Sequence, residues 1–161
     1  MKNTKIYLDT SVISHLDAPD TPEKMADTKL LWEQIGKGKY DVVLSEVVFS
    51  ELNKCHEPKK SYLITCLKQI QYTRVELDND TSALADKFIK LSILGATSLD
   101  DCRHISAAIL AGCDMIVSWN FKHIVNPKTI KGTKVITVME GYKDILICTP
   151  TMLTEGDITD E

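Results

Sequence analysis

The sequence predicts an α/β domain with a central, mostly parallel sheet of four to five strands covered by helices on both faces. Two observations lead there. Short runs rich in β-branched residues alternate with longer stretches of helical period. The chain also has the length of one domain, 161 residues, with no internal repeat, low-complexity run or linker. A chain of strands alternating with helices closes into a parallel sheet packed on both sides.

In chain order, strands are expected at 5–9 (KIYLD), 40–44 (YDVVL), 114–118 (DMIVS) and 134–138 (KVITV), with a weaker one at 73–77 (TRVEL). Helical patterns fill about 22–36, 46–56, 59–71, 80–94 and 101–112. Pro22 sits where a first-turn proline belongs, and Gly38 and Gly112 follow helix ends. Residues 1–148 read as the folded domain, and 149–161 as an acidic carboxy-terminal tail with a frayed, solvated end.

Hydrophobic residues make up 43% and charged residues 26%, the balance of an ordinary globular protein. Asp9 interrupts the apolar run behind Lys2 and Lys5, so no signal peptide is expected, and no segment reaches the ~20 apolar residues of a membrane span. A cytoplasmic protein follows. The five cysteines, Cys55, Cys66, Cys102, Cys113 and Cys148, are odd in number and scattered, which suits free thiols. Net charge is −4, and the last seven residues hold four carboxylates, so the body of the chain is balanced. A neutral body exerts no global pull on nucleic acid, and any such pull must come from local lysines.

Three carboxylates stand where apolar residues are expected. Asp9 ends the strand KIYLD. Glu51 lies within the stripe formed by Val47, Val48, Leu52 and Cys55, whereas Glu46 points away. Its ordinary explanations are snorkelling from the stripe's edge or pairing with Lys54. Asp101 heads the stripe of Ile105, Ala108 and Ile109, while Asp100 is rotated off it. The pattern Ser98-x-x-Asp101 also has the form of a capping box, so a helix cap is the competing role. The following strand ends in SWNFKHI, residues 118–124, where Asn120 closes it and serves equally as a turn residue. Trp119 suits packing better than base stacking, and His104 and His123 lack zinc-like spacing.

Ligands of parallel sheets bind beyond the carboxyl ends of the strands. Hard oxygen ligands gathered there, without cysteine or paired histidine, suit Mg²⁺ or Mn²⁺. Phosphatase chemistry with Asp9 as nucleophile wants a second acid two residues on, where Ser11 stands.

The segments YLDTSVIS, SEVVFSELNK and DDCRHISAAILAGCDMIVSWNFKHI resemble, in order and spacing, the three signature regions of the PIN domain family, over about residues 5–148. The resemblance implies a three-layer α/β/α sandwich and a Mg²⁺- or Mn²⁺-dependent endoribonuclease acting on single-stranded RNA. It most often implies the VapC-type toxin of a toxin–antitoxin pair, with a small antitoxin protein as partner and a homodimer as assembly. By position Asp9, Glu51 and Asp101 become the metal-binding acids, and Asn120 joins them as a catalytic-site residue. Thr10 and Ser11 become the hydroxyls supporting Asp9. His123 occupies a position where many members carry a further acid. Lys54, Lys59, Lys60 and Lys122, flanking these motifs, are the expected RNA contacts. A non-catalytic PIN-like interaction module and a housekeeping RNA-processing nuclease are the alternatives.

Overall fold

The computed structural model describes residues 2–159, with side chains through residue 155. Five strands, β1 (Thr4–Leu8), β2 (Tyr40–Ser45), β3 (Thr73–Val75), β4 (Met115–Val117) and β5 (Leu146–Cys148), form one sheet in the order β3-β2-β1-β4-β5. Every pairing is parallel, with Ile6 opposite Val42 on one side and opposite Met115 on the other. The helices are α1 (Thr10–Ser14), α2 (Pro22–Gly36), α3 (Glu46–Asn53), α4 (Lys59–Lys68), α5 (Asn79–Lys90), α6 (Leu99–Leu110), α7 (Pro127–Glu140) and α8 (Pro150–Thr159).

Side chains of a strand alternate between faces, and β1 divides the core accordingly. Ile6 and Leu8 pack with Leu31, Trp32, Val48 and Leu63 on one face. Tyr7 packs with Phe88, Ile105, Ala108 and Ile116 on the other. This is the three-layer arrangement expected from the sequence. Free cysteines sit in these layers, with Cys66, Cys102, Cys113 and Cys148 buried and Cys55 half-buried. None of the described helices is long and apolar enough to cross a membrane.

The chain runs outward from β1 through β2 to β3, then returns to lay β4 on the other side of β1. The direction of winding reverses between β1 and β4, and in parallel sheets ligands bind beyond the carboxyl ends of the strands at such a reversal. Asp9 follows β1 and Ser118 follows β4, and the Asp9 backbone N–H bonds to the Val117 carbonyl at 3.3 Å.

One expectation is overturned. Residues 134–138 form no strand; they belong to α7. Their β-branched composition favours a strand, but the boundaries decide otherwise. Asn126 caps the helix by accepting the Thr129 N–H at 2.9 Å, Pro127 follows at the first position, and Gly141 ends it at φ 73°. Thr129, Gly132, Thr133, Ile136 and Thr137 then make a buried stripe at helical spacing. The fifth strand is instead Leu146–Cys148, too short to stand out in sequence. The carboxy-terminal segment is helical through Thr159 and packs along α2, with Leu153 buried and Thr151 donating to Asp27 Oδ2 at 2.6 Å. The expected solvation of the acids after Glu155 lies outside the described side chains.

Gly132 explains how α7 approaches its neighbour. A Cβ there would lie 2.4 Å from Ile93 Cγ2, far inside contact distance. Gly132→Ala gains helix propensity of ~1 kcal/mol but overpacks a buried site at a cost of ~1–3 kcal/mol. Chemical denaturation should therefore show the variant less stable than the parent, and a more stable variant would disprove the close packing.

Candidate active site at the carboxyl edge of the sheet

The site begins with Asp9, only 3% exposed although it carries a carboxyl group. Burying such a group without partners is costly, and the structure supplies three. Oδ1 accepts the Ser11 hydroxyl at 2.6 Å and the Val12 N–H at 3.3 Å, and Oδ2 accepts the Ser118 hydroxyl at 2.5 Å. Asp9 thus also caps the short helix α1. The serines are fixed in turn: Ser11 Oγ accepts the Trp119 N–H at 2.9 Å, and Ser118 Oγ accepts the Asn120 N–H at 2.9 Å. The end of β4 therefore holds the residue that ends β1.

Glu51 projects from α3 toward α6. Its Oε1 accepts the Thr10 hydroxyl at 2.7 Å and bonds His104 Nε2 at 2.6 Å. The partners are these two, in place of a salt bridge to Lys54. His104 is buried, and its Nδ1 lies 2.6 Å from the Tyr7 hydroxyl, which lies 2.6 Å from Ser45 Oγ. An ionised carboxylate only accepts, so Nε2 carries the proton facing Glu51. The Tyr7 hydroxyl thus sits between His104 Nδ1 and Ser45 Oγ. Ser45 Oγ itself takes the Val47 N–H at 3.3 Å and caps α3.

Asp101 stands one turn before His104 on α6 and is half-buried. Its Oδ1 accepts from Asn120 Nδ2 at 3.3 Å. Ser98 makes no side-chain cap to α6, so the capping box has no counterpart in the structure. Asp100 is exposed and pairs with Arg103 at 3.0 Å. Asn120 has both roles considered for it. Its Oδ1 accepts the His123 N–H at 2.9 Å to shape the turn, while its amide reaches Asp101. His123 Nδ1 faces Ser98 Oγ at 3.4 Å.

The three acids differ electrostatically. Burial pushes Asp9 above the usual carboxylate range, against the pull of His104, Ser11 and Ser118. Burial likewise raises Asp101; His104 and His123 oppose the rise, and the charges of Asp9 and Glu51 add to it. Burial also acts to raise Glu51, but its bond to His104, the His104 charge, Thr10 and Lys54 outweigh that and hold it low. His104 thus acts on all three carboxylates.

Hard oxygens, two of them on desolvated acids with raised pKa, are the donor set that a divalent cation relieves. Asp101 keeps an oxygen that none of the described residues bonds, and so does Glu51. Among the described residues, no group of three or more His, Cys, Asp or Glu side chains is arranged to hold a metal by itself. The fit is therefore one of donor chemistry alone, in the unbonded carboxyl oxygens of Asp101 and Glu51.

Of the expected RNA contacts, Lys54 and Lys122 are exposed and Lys59 is half-buried. The Lys60 ammonium is committed to Asn53, bonding its carbonyl at 3.2 Å and Oδ1 at 2.8 Å at the end of α3. Sequence reasoning missed Tyr7, Ser45, His104 and Ser118. Tyr7 and His104 are 97 positions apart, and no local spacing signals such a pair.

No family model matches the sequence, and no curated protein is similar to it. Its fold resembles that of a chain in the crystal structure of VapBC2 from Rickettsia felis bound to a DNA fragment from their promoter. The TM-score is 0.53 at 15% identity, over 78% of this chain and 95% of that one. At this identity the likeness concerns the fold, which is the PIN-like α/β/α sandwich expected from the three motifs.

The buried charge of Asp9 has a consequence for stability. A carboxyl whose pKa rises on folding favours the folded state below its unfolded pKa of ~3.9 and loses that advantage as pH rises through the folded value. Asp9→Asn removes the charge and keeps the shape. In the presence of a chelator, thermal melts at pH 7 should show the variant more stable than the parent. The gain should shrink as pH falls through the raised pKa of Asp9, because the carboxyl is then protonated. A parent more stable than the variant at pH 7 would refute the desolvation argument.

Proposed function

We propose that the protein is a Mg²⁺- or Mn²⁺-dependent endoribonuclease that cleaves single-stranded RNA, acting as the toxin of a toxin–antitoxin pair. The observation that carries this reading is that Asp9 and Asp101 are linked through Ser118 and Asn120, and Glu51 is held by Thr10 and His104, beyond the carboxyl ends of β1 and β4. A PIN-like fold with these acids at its carboxyl edge is the arrangement that the motif resemblance implies for such an enzyme.

The chain's own residues have distinct tasks in this reading. Asp9, fixed by Ser11, Ser118 and the Val12 N–H, presents a carboxylate that has little freedom to move. Thr10 and His104 hold Glu51, and Asn120 steadies Asp101. Such fixing limits the reorganisation needed when charge develops during the reaction. A cation bound by these acids would supply charge stabilisation at the phosphoryl group and a more acidic water. Lys54, Lys59 and Lys122 are proposed to take flanking phosphates, each neutralised contact adding ~0.7 to the salt slope; Lys60, held by Asn53, is left out.

A small antitoxin protein and a second copy of the chain are the proposed protein partners. The VapBC2 neighbour supports the first. The second is supported by the exposed apolar residues Val135, Val138 and Met139 on α7, near Tyr142 and with Leu146 at the sheet edge. Exposed apolar surface of this kind typically marks an interaction site.

The test is cleavage of an RNA pool with Mg²⁺ or Mn²⁺. The parent should cut, and chelation should stop it. Asp9→Asn and Asp101→Asn should each lose ~100-fold or more, the scale of removing one preorganised electrostatic group. Asp100→Asn should keep most activity, since that side chain faces solvent and pairs with Arg103. A parent that leaves the pool intact with both cations refutes the reading. An active Asp101→Asn beside an inactive Asp100→Asn shifts the third acid by one residue.

A further inference from the structure

Next to Asn120 stands an aromatic residue to which none of the roles above has been given. Phe121 is 48% exposed, although it immediately follows a residue bonded to Asp101. Its neighbour Trp119 is a different case: it is buried, and its Nε1–H is donated to Thr28 Oγ1 at 2.8 Å. Trp119 packs, as its sequence context suggests, and Phe121 leans on it with ring centroids 6.3 Å apart. The Lys24 ammonium lies 5.2 Å from the Phe121 ring centre and 5.7 Å from that of Trp119. The backbone beneath is fixed, since the N–H groups of Trp119, Asn120 and Phe121 are bonded to Ser11 Oγ, Ser118 Oγ and the Trp119 carbonyl.

We propose that Phe121 and Lys24 form a stacking subsite for one unpaired base of the RNA. This inference rests on the ribonuclease reading and adds a place where the substrate is held. The open ring of Phe121 takes the base, and the Lys24 ammonium takes the adjoining phosphate. An exposed aromatic backed by a cation, on fixed backbone beside a candidate cleavage site, is what single-strand binding uses. A purely apolar partner fits less well, because covering this ring would strip water from the Lys24 ammonium without offering it an anion. A nucleotide brings both a π-face and a phosphate.

The experiment measures binding of a mixed-sequence single-stranded RNA oligonucleotide to the Asp101→Asn protein, with cleavage by otherwise native protein in parallel. Adding Phe121→Ala should raise Kd about 5- to 150-fold, the range that alanine substitution gives for one stacked base. Phe121→Trp should restore binding and Phe121→Leu should not, because only the former offers a stacking face. Lys24→Gln should lower the salt slope by ~0.7. If Phe121→Ala binds and cuts like its parent, the subsite is wrong and the nuclease reading stands. If Phe121→Leu rescues as well as Phe121→Trp, the contact is apolar and stacking is disproved. If the otherwise native protein neither binds nor cuts RNA, both readings fall together.

Discussion

The hydrogen-bonded series from Ser45 through Tyr7 and His104 to Glu51 is the interaction on which the site depends. It joins the end of β2, the middle of β1, the face of α6 and the inward side of α3. Each member is placed by secondary structure, yet none is satisfied by it. Tyr7 is fully buried, so its hydroxyl must find a partner within the protein. The partner it finds, His104, is presented by a helix whose apolar stripe packs on the same face of the sheet. Fixing His104 fixes Asp101 one turn earlier and gives Glu51 a donor. The geometry of the acids therefore follows from satisfying one buried phenol.

A second group of bonds does the same for Asp9. Ser11 and Ser118 each donate to the carboxylate and accept a backbone N–H from the end of β4. Both networks meet at the reversal of winding between β1 and β4. There, the parallel sheet leaves strand ends open, and the structure fills that space with polar groups. Such a site carries an energetic conflict, since burial raises the pKa of Asp9 and Asp101 while their charges repel. Proteins retain destabilising arrangements of this kind where function requires them.

Much of this was legible in the sequence because it is periodic. Alternating strands and helices announced a parallel sheet, and the breaks in periodicity announced Asp9, Glu51 and Asp101. The choice of Asp101 over Asp100 followed from a helical stripe, and the structure places the two side chains as that stripe suggests. Long-range partnership was not legible. Tyr7, His104 and Ser118 belong to runs that read as ordinary strand or helix, and only the fold shows which groups meet. Residues 134–138 show the converse weakness, that composition misleads when boundaries are ignored. KVITV has strand propensity, but the Asn126-Pro127 start and the Gly141 stop enclose it in a helix. Tertiary packing against Ile93 then fixes that helix.

Charge balance bears on how an RNA strand would be held. The body of the chain is balanced in charge, and three carboxylates stand at the carboxyl edge of the sheet, close enough to act on one another. A polyanion approaching it gains nothing from a global field and is repelled by those acids until a cation neutralises them. Affinity must then arise at the rim, from contacts that do not require net positive charge over the whole surface. The lysines proposed for this role would supply part of it, but each is a flexible side chain that loses rotamer freedom on binding. A base stacked on an aromatic ring fixed to β4's end would add attraction that is insensitive to the charge of those acids. A ring next to Asn120 also registers the strand against Asp101, so the same contact that binds would position the phosphodiester. On a protein whose body is balanced in charge, recognition of a single strand is thus expected to rely on stacking as well as on lysines.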